Sequence, residues 1–339
     1  MSEPLLQVAG LKVQFATRDG VVRAVDGVDF TLERGQVLGI VGESGSGKSV
    51  TALTVLGLTR AANTRFEGSV LYEGRSLLEL SERELRKIRG DGIAMIFQDP
   101  MTSLNPVFRI GDQIAEAILM HRNVSGRVAR RRALDLLGAV GIPNPRQRYE
   151  SYPHEFSGGM RQRAMIAMAL ANDPDVLIAD EPTTALDVTI QAQIIELIGK
   201  LKDEFNSAVI LITHDLGVVA DIADEIVVMY AGRIVERGSK RQVFYDPQHP
   251  YTWGLLGSIP RLDRPKPKRL ASIKGAPPSL IDLPQGCTFR PRCPHAFESC
   301  GEEPRLDHRV ADPGHLDRCW LPVERKRSLR TAATTVVET

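Results

Sequence analysis

The chain has 339 residues, 42% of them hydrophobic and 25% charged, and 43 Lys and Arg against 42 Asp and Glu leave a formal net charge of +1. That length accommodates one large domain or two smaller ones around a substantial core, and the charge balance argues against a general polyanion binder. No apolar run reaches the roughly 18–20 residues that span a bilayer, and Met1-Ser2-Glu3-Pro4 does not open a secretory signal, so a cytosolic protein is expected.

Near the start, apolar residues alternate at Leu6, Val8, Leu11, Val13 and Phe15, which reads as a strand with a turn in it. Asp19-Gly20 is a turn signal, and strand-like pieces follow at residues 21–22 and 25–32. Val37-Leu38-Gly39-Ile40-Val41 is an apolar run ending abruptly in glycines, and residues 48 to about 58 suit a helix. Strand, glycine loop and helix in that order make an α/β nucleotide-binding unit. Residues from about 100 to 170 are expected to be mainly helical, with Ile114, Ala117, Ile118, Leu134, Leu136 and Leu137 at helical spacing. Buried parallel strands are expected at 176–179 and 208–213, with a further strand at 226–230.

After about residue 245 the composition changes. Pro247, Pro250, Pro260, Pro265, Pro267, Pro277, Pro278, Pro284, Pro291 and Pro294 crowd a loop-rich region. All four cysteines, Cys287, Cys293, Cys300 and Cys319, fall there as well. The organisation read from this is a first domain at 1–245, a separate extension at 246–322 and a flexible tail at 323–339.

Gly42-Glu43-Ser44-Gly45-Ser46-Gly47-Lys48-Ser49 satisfies G-x-x-x-x-G-K-[ST]. Its glycines let backbone N–H groups wrap phosphates, and the helix that follows turns its positive end toward them. Lys48 suits the β- and γ-phosphates, and the Ser49 hydroxyl suits Mg²⁺. Further on, Val176-Leu177-Ile178-Ala179-Asp180-Glu181 delivers two carboxylates to the end of a buried strand. Asp180 suits a Mg²⁺ contact, and Glu181 is placed to polarise an attacking water.

With these residues the sequence resembles the ABC ATPase family over its first 240 or so residues. Ser157-Gly158-Gly159-Met160-Arg161-Gln162 stands at the signature motif, and Gln98 follows an apolar segment at 93–97 as in the Q-loop. Asp187 in Ala185-Leu186-Asp187 matches the D-loop, His214 matches the switch histidine, and Phe15 falls where an aromatic stacks on adenine. Phe156 and Met160 depart from the commonest signature, LSGGQ, at both ends. The resemblance implies a P-loop NTPase fold with a RecA-like core, an antiparallel β subdomain and a helical signature subdomain. It implies catalytic roles for Glu181, His214 and Gln98, and Mg²⁺ ligation by Ser49, Gln98 and Asp180. Nucleotide contacts would come from Phe15, Gly42, Ser44, Gly45, Ser46, Gly47, Lys48, Ser49, Val50, Asp180 and Asp187. Ser157, Gly158 and Gly159 would reach the ATP held by a second cassette.

Gln98-Asp99-Pro100-Met101-Thr102-Ser103-Leu104-Asn105-Pro106 resembles the dipeptide and oligopeptide permease ATPases. So do His249-Pro250-Tyr251-Thr252, Gly275-Ala276-Pro277-Pro278 and Cys287-Thr288-Phe289-Arg290-Pro291-Arg292-Cys293-Pro294. Ser46 and Val50 look more like the D-type subunit than its F-type partner. This resemblance implies an ATPase heterodimer, two membrane permease subunits, an extracytoplasmic peptide-binding protein, no nucleic acid, and a peripheral place on the cytoplasmic face of the membrane. A nickel or other small-solute importer, and a soluble ABC ATPase acting on nucleic acid or ribosomes, are the alternatives. The cysteine spacing C-x5-C-x6-C-x18-C contains no close zinc-ribbon knuckle. Relatives with this cysteine-bearing extension imply a [4Fe–4S] cluster at Cys287, Cys293, Cys300 and Cys319, with zinc or free thiols as the other readings.

Overall fold

An unbroken series of Val, Leu and Ile is stable as a strand where both of its faces are covered. Residues 37–41, 176–180 and 208–213 are wholly buried in the computed structural model. The structure describes residues 3–184, 186–258, 273–308, 312 and 314–335. Ala185, Pro260, Pro265, Pro267 and the last four residues of the expected tail lie outside these.

In chain order the strands are β1 (Leu6–Thr17), β2 (Gly20–Leu32), β3 (Val37–Val41), β4 (Thr64–Tyr72), β5 (Arg75–Ser76) and β6 (Ile93–Ile96). They continue with β7 (Val176–Asp180), β8 (Ala208–Thr213), β9 (Glu225–Tyr230), β10 (Arg233–Ser239), β11 (Asp307–His308) and β12 (Leu316–Asp317). Among the described residues they make a four-stranded sheet, β2-β1-β4-β5, and an eight-stranded one, β11-β12-β10-β9-β3-β8-β7-β6. In the larger sheet β9, β3, β8, β7 and β6 run parallel, so their C-terminal ends share one edge. The register pairs Val41 with Thr213, Asp180 with Ile212, and Ile96 with Ala179. Gly42, Gln98, Glu181 and His214 therefore leave the sheet at the same edge.

Alternation along β3 divides the core. Leu38 and Ile40 join the apolar cluster shared with the antiparallel sheet, while Val37 and Val41 join the cluster shared with the helices. The antiparallel sheet corrects one expectation. The segment read as two short pieces is one strand of 13 residues, β2, kept continuous by pairing with β1 across several bulges. The helix after the glycine loop, Lys48–Val55, stops short of 58 because Leu56 caps it and Gly57 turns left-handed at φ +66°.

The expected helical region contains Ile110–His121, Gly126–Ala139, Pro145–Tyr149 and Gly158–Ala169. Ile114, Ile118, Leu136 and Leu137 form its buried seam. The extension is less separate than its composition suggests. β12 pairs antiparallel with β10 and so adds to the core sheet. The segment read as the start of a flexible tail is instead the helix Val323–Thr335. A fully buried Lys326 fixes it, donating to Asp317 at 2.5 Å.

Candidate active site

The phosphate loop leaves β3 at Gly42 and enters the helix at Lys48. A β-carbon at Gly47 would lie 2.4 Å from the Ala24 carbonyl oxygen, and the residue has φ +100°, so the sharp turn requires glycine. Lys48 is 4% exposed, and burial pushes its ammonium below its ordinary range. Its Nζ donates to the carbonyls of Gly42 at 2.8 Å and Glu43 at 2.9 Å, bonds that phosphate oxygens can replace. The buried Ser46 Oγ has no protein partner, another polar atom available to a ligand. Phe15, Val22 and Ala24 from the antiparallel sheet join residues 44–50, Gln98 and Glu181 around a cleft of about 300 Å³. Ser44, Gly45 and Val50 are among the residues lining it.

The carboxylates arrive from β7. Asp180 is buried, accepts a hydrogen bond from Ser49 Oγ at 3.0 Å, and has its pKa raised by burial against the opposing effect of that bond. A hydroxyl and a carboxylate side by side are hard oxygen donors of the kind Mg²⁺ takes, so these residues fit the ion. Glu181 sits at φ +46°, a left-handed conformation uncommon for a side chain of this size and concentrated at functional sites. Its backbone N–H donates to Ile212 at 2.8 Å, fixing the residue to the neighbouring strand. Its Oε2 accepts from Gln98 Nε2 at 3.1 Å and Thr184 Oγ1 at 2.8 Å, and lies 3.6 Å from His214 Nδ1. Gln98, Glu181 and His214 thus form one cluster, with Thr184 as a fourth member that sequence reasoning missed. Ser/Thr three residues after a carboxylate is too common to signal itself.

Ser157, Gly158, Gly159 and Asp187 lie elsewhere. Ser157 is exposed and caps the helix Gly158–Ala169, its Oγ accepting from Met160 N at 3.3 Å. Asp187 caps the helix Val188–Phe205 in the same way, accepting from Ile190 N at 3.0 Å. A β-carbon on Gly159 would stand 3.2 Å from Ile190, so the two segments adjoin each other. Phe156 is 3% exposed and packs in the main core, which explains an apolar residue before the capping serine.

The extension also reaches the cleft. Leu280 lines it along with Phe15, and the Leu280 carbonyl accepts from Arg23 N at 2.9 Å. Sequence reading missed Leu280 because nothing local ties residue 280 to residue 23.

The four cysteines converge from three segments on one small cavity with an apolar lining. Cys319 Sγ accepts from the Leu321 N–H at 3.5 Å, and the backbone at Phe289 and Arg290 beside Cys287, and at His295 beside Cys293, works against the upward push of burial on those thiols. Burial pushes the Cys293 thiol up to about 11 and that of Cys319 to about 12. N–H donors aimed at sulfur suit metal-bound thiolates, so the donor set fits a soft-metal group. Among the described residues, however, no three His, Cys, Asp or Glu side chains are grouped so as to hold a metal ion.

A family model described as "ABC transporter" matches residues 25–184, and one described as "Oligopeptide/dipeptide transporter, C-terminal region" matches 235–300. The oligopeptide transport ATP-binding protein OppD of Salmonella typhimurium is 56% identical over 94% of this chain and 94% of its own length. The dipeptide transport ATP-binding protein DppD of Bacillus subtilis is 51% identical over 95% of this chain and 96% of its own. A solved ATP-binding cassette, captured as a dimer in a post-hydrolysis state with ADP and Pi, superposes at TM-score 0.63. It is 28% identical, over 70% of this chain and 99% of that one.

Proposed function

This chain belongs to the ABC transporter family of ATP-binding subunits, and from that premise we propose that it is the ATP-hydrolysing motor of a dipeptide or oligopeptide importer. The observation that carries the reading is the shared sheet edge, where the phosphate loop, Asp180 and the Gln98–Glu181–His214 cluster meet. Lys48 and the loop N–H groups bind the phosphates. Ser49, Asp180 and Gln98 would hold Mg²⁺, which would supply neutralisation of the phosphate charge. Glu181 orients the water that attacks the γ-phosphorus as the bond to ADP breaks, and Gln98, Thr184 and His214 hold that carboxylate in place.

The signature residues Ser157, Gly158 and Gly159 serve a partner cassette. Their support is an exposed helix N-terminus that lines neither its own cleft nor the cavity beside it. The partners are an F-type ATPase, two permease subunits and an extracytoplasmic peptide-binding protein. No described helix is long and apolar enough to cross a membrane. The subunit is placed at the cytoplasmic face through the permeases, on the strength of its likeness to transport ATP-binding proteins. Reconstitution of those components tests the reading: peptide-loaded binding protein should stimulate ATPase activity. Stimulation by nickel or another small solute, or by nucleic acid, would replace it with one of the other readings.

For the extension, a [4Fe–4S] cluster at Cys287, Cys293, Cys300 and Cys319 is preferred to zinc. Its support is that all four cysteines line one cavity and that the Leu321 N–H is donated to the Cys319 sulfur. Anaerobic purification should yield iron and sulfide in equal amounts. Folded protein without iron would sink the assignment.

A further inference from the structure

We propose that Arg292 is a positioning residue for the phosphate loop: it neutralises the Glu43 carboxylate and lets the loop accept a polyphosphate. The proposal rests on the ATP-binding reading of that loop. Glu43 is the second residue of the loop, and a free carboxylate there would oppose the negative charge that the loop exists to bind.

Arg292 answers it from the extension, 249 residues away in sequence. Its Nη1 and Nη2 donate to the two Glu43 oxygens at 2.6 and 3.0 Å, a bidentate pair. The guanidinium side chain is 4% exposed and Glu43 28%, so solvent screens the pair weakly. The remaining donors are spent on holding the guanidinium still. Nε donates to the Lys274 carbonyl at 3.1 Å and Nη1 to Tyr230 Oη at 3.4 Å.

The same peptide is gripped by a second residue of the extension. Glu43 N–H donates to Tyr251 Oη at 2.8 Å, and Tyr251 is fully buried against Tyr230 and Phe289. The Glu43 carbonyl accepts from Lys48 Nζ. Side chain, N–H and carbonyl of one loop residue are therefore all fixed, the first two by the extension. Arg292 itself ends a short turn, Arg290–Arg292, flanked by cavity-lining Cys287 and Cys293. What holds that turn holds the phosphate loop.

The test is a double-mutant cycle on the full-length chain, with ADP affinity measured by titration calorimetry and thermal midpoints recorded in parallel. Arg292→Met keeps the apolar stem but leaves the carboxylate unpaired, and should weaken ADP binding about tenfold or more. Adding Glu43→Gln removes that carboxylate and should return the affinity to within about threefold of the wild type. Arg292→Lys, which keeps charge without the fork, should fall between and covers the case in which Arg292→Met does not fold. In the assembled transporter the loss should appear in KM for ATP with kcat little changed. Unaltered affinity in a folded Arg292 variant, or a double variant as weak as Arg292→Met, overturns the proposal. Failure of the wild type to bind ADP, or equal binding by Lys48→Ala, overturns the ATP reading instead.

Discussion

Glu236 on β10 is the deepest link between the extension and the cassette, and removing it should loosen the extension selectively. The carboxylate is completely buried, accepts two backbone hydrogen bonds and shares a third with His315. The backbone N–H groups of Gln248 and His249 donate at 2.6 and 2.9 Å, and His315 Nε2 lies at 2.8 Å. Glu236→Ala orphans all three groups in a site closed to water. Each buried unsatisfied donor costs about 1–3 kcal/mol, which gives a loss of about 3–5 kcal/mol once partial relaxation is allowed. At a urea dependence of about 2 kcal/mol per molar, the midpoint should fall by about 1.5–2.5 M. The assay is favoured by the sequence: its two tryptophans, Trp253 and Trp320, both lie in the extension. Tryptophan fluorescence should therefore unfold well before far-ultraviolet circular dichroism, which reports the whole chain. Coincident transitions at the wild-type midpoint would refute the reasoning, because they would mean that Glu236 carries no docking energy.

Other consequences concern the nucleotide cleft. Ser157→Arg should leave the ADP affinity of the isolated chain within about twofold of wild type while abolishing hydrolysis in the assembled transporter, since Ser157 lies outside its own cleft; a large loss of affinity in the isolated chain would place the signature in its own site. Gly47→Ala should weaken nucleotide binding at least tenfold by calorimetry, because a β-carbon there meets the Ala24 carbonyl at 2.4 Å. Leu280→Ala should raise the Kd for ADP about threefold or more without unfolding the chain, given its place in the cleft wall. An unchanged Kd would remove the extension from the cleft wall.

The parallel core was legible because burial on both faces writes a continuous apolar run, as at Val37–Val41 and Ala208–Thr213. The site was legible because its parts follow directly on those runs: Gly42 after β3, Glu181 after β7 and His214 after β8. Features set by distant partners were not. Val323–Thr335 is polar enough to read as a tail, and the buried Lys326–Asp317 pair, together with Arg330 on Asp246 and the Pro247 carbonyl, reveals why it is held. Leu280, Tyr251 and Arg292 read as parts of a proline-rich appendix, since their partners at Arg23 and Glu43 are more than 200 residues away. The backbone beside Cys287 and Cys293, and the Leu321 N–H on Cys319, likewise depend on tight local turns that spacing alone does not specify.

ATP binding in the phosphate loop and its proposed hydrolysis through Glu181 are separated by a single substitution. Glu181→Gln changes one carboxylate oxygen to an amide while keeping the shape that meets Gln98 and Thr184. Turnover should be measured in the assembled transporter with the partner's ATP site disabled. ATP should remain bound while hydrolysis falls by about 10²–10⁴-fold. Undiminished hydrolysis would contradict the role proposed for Glu181.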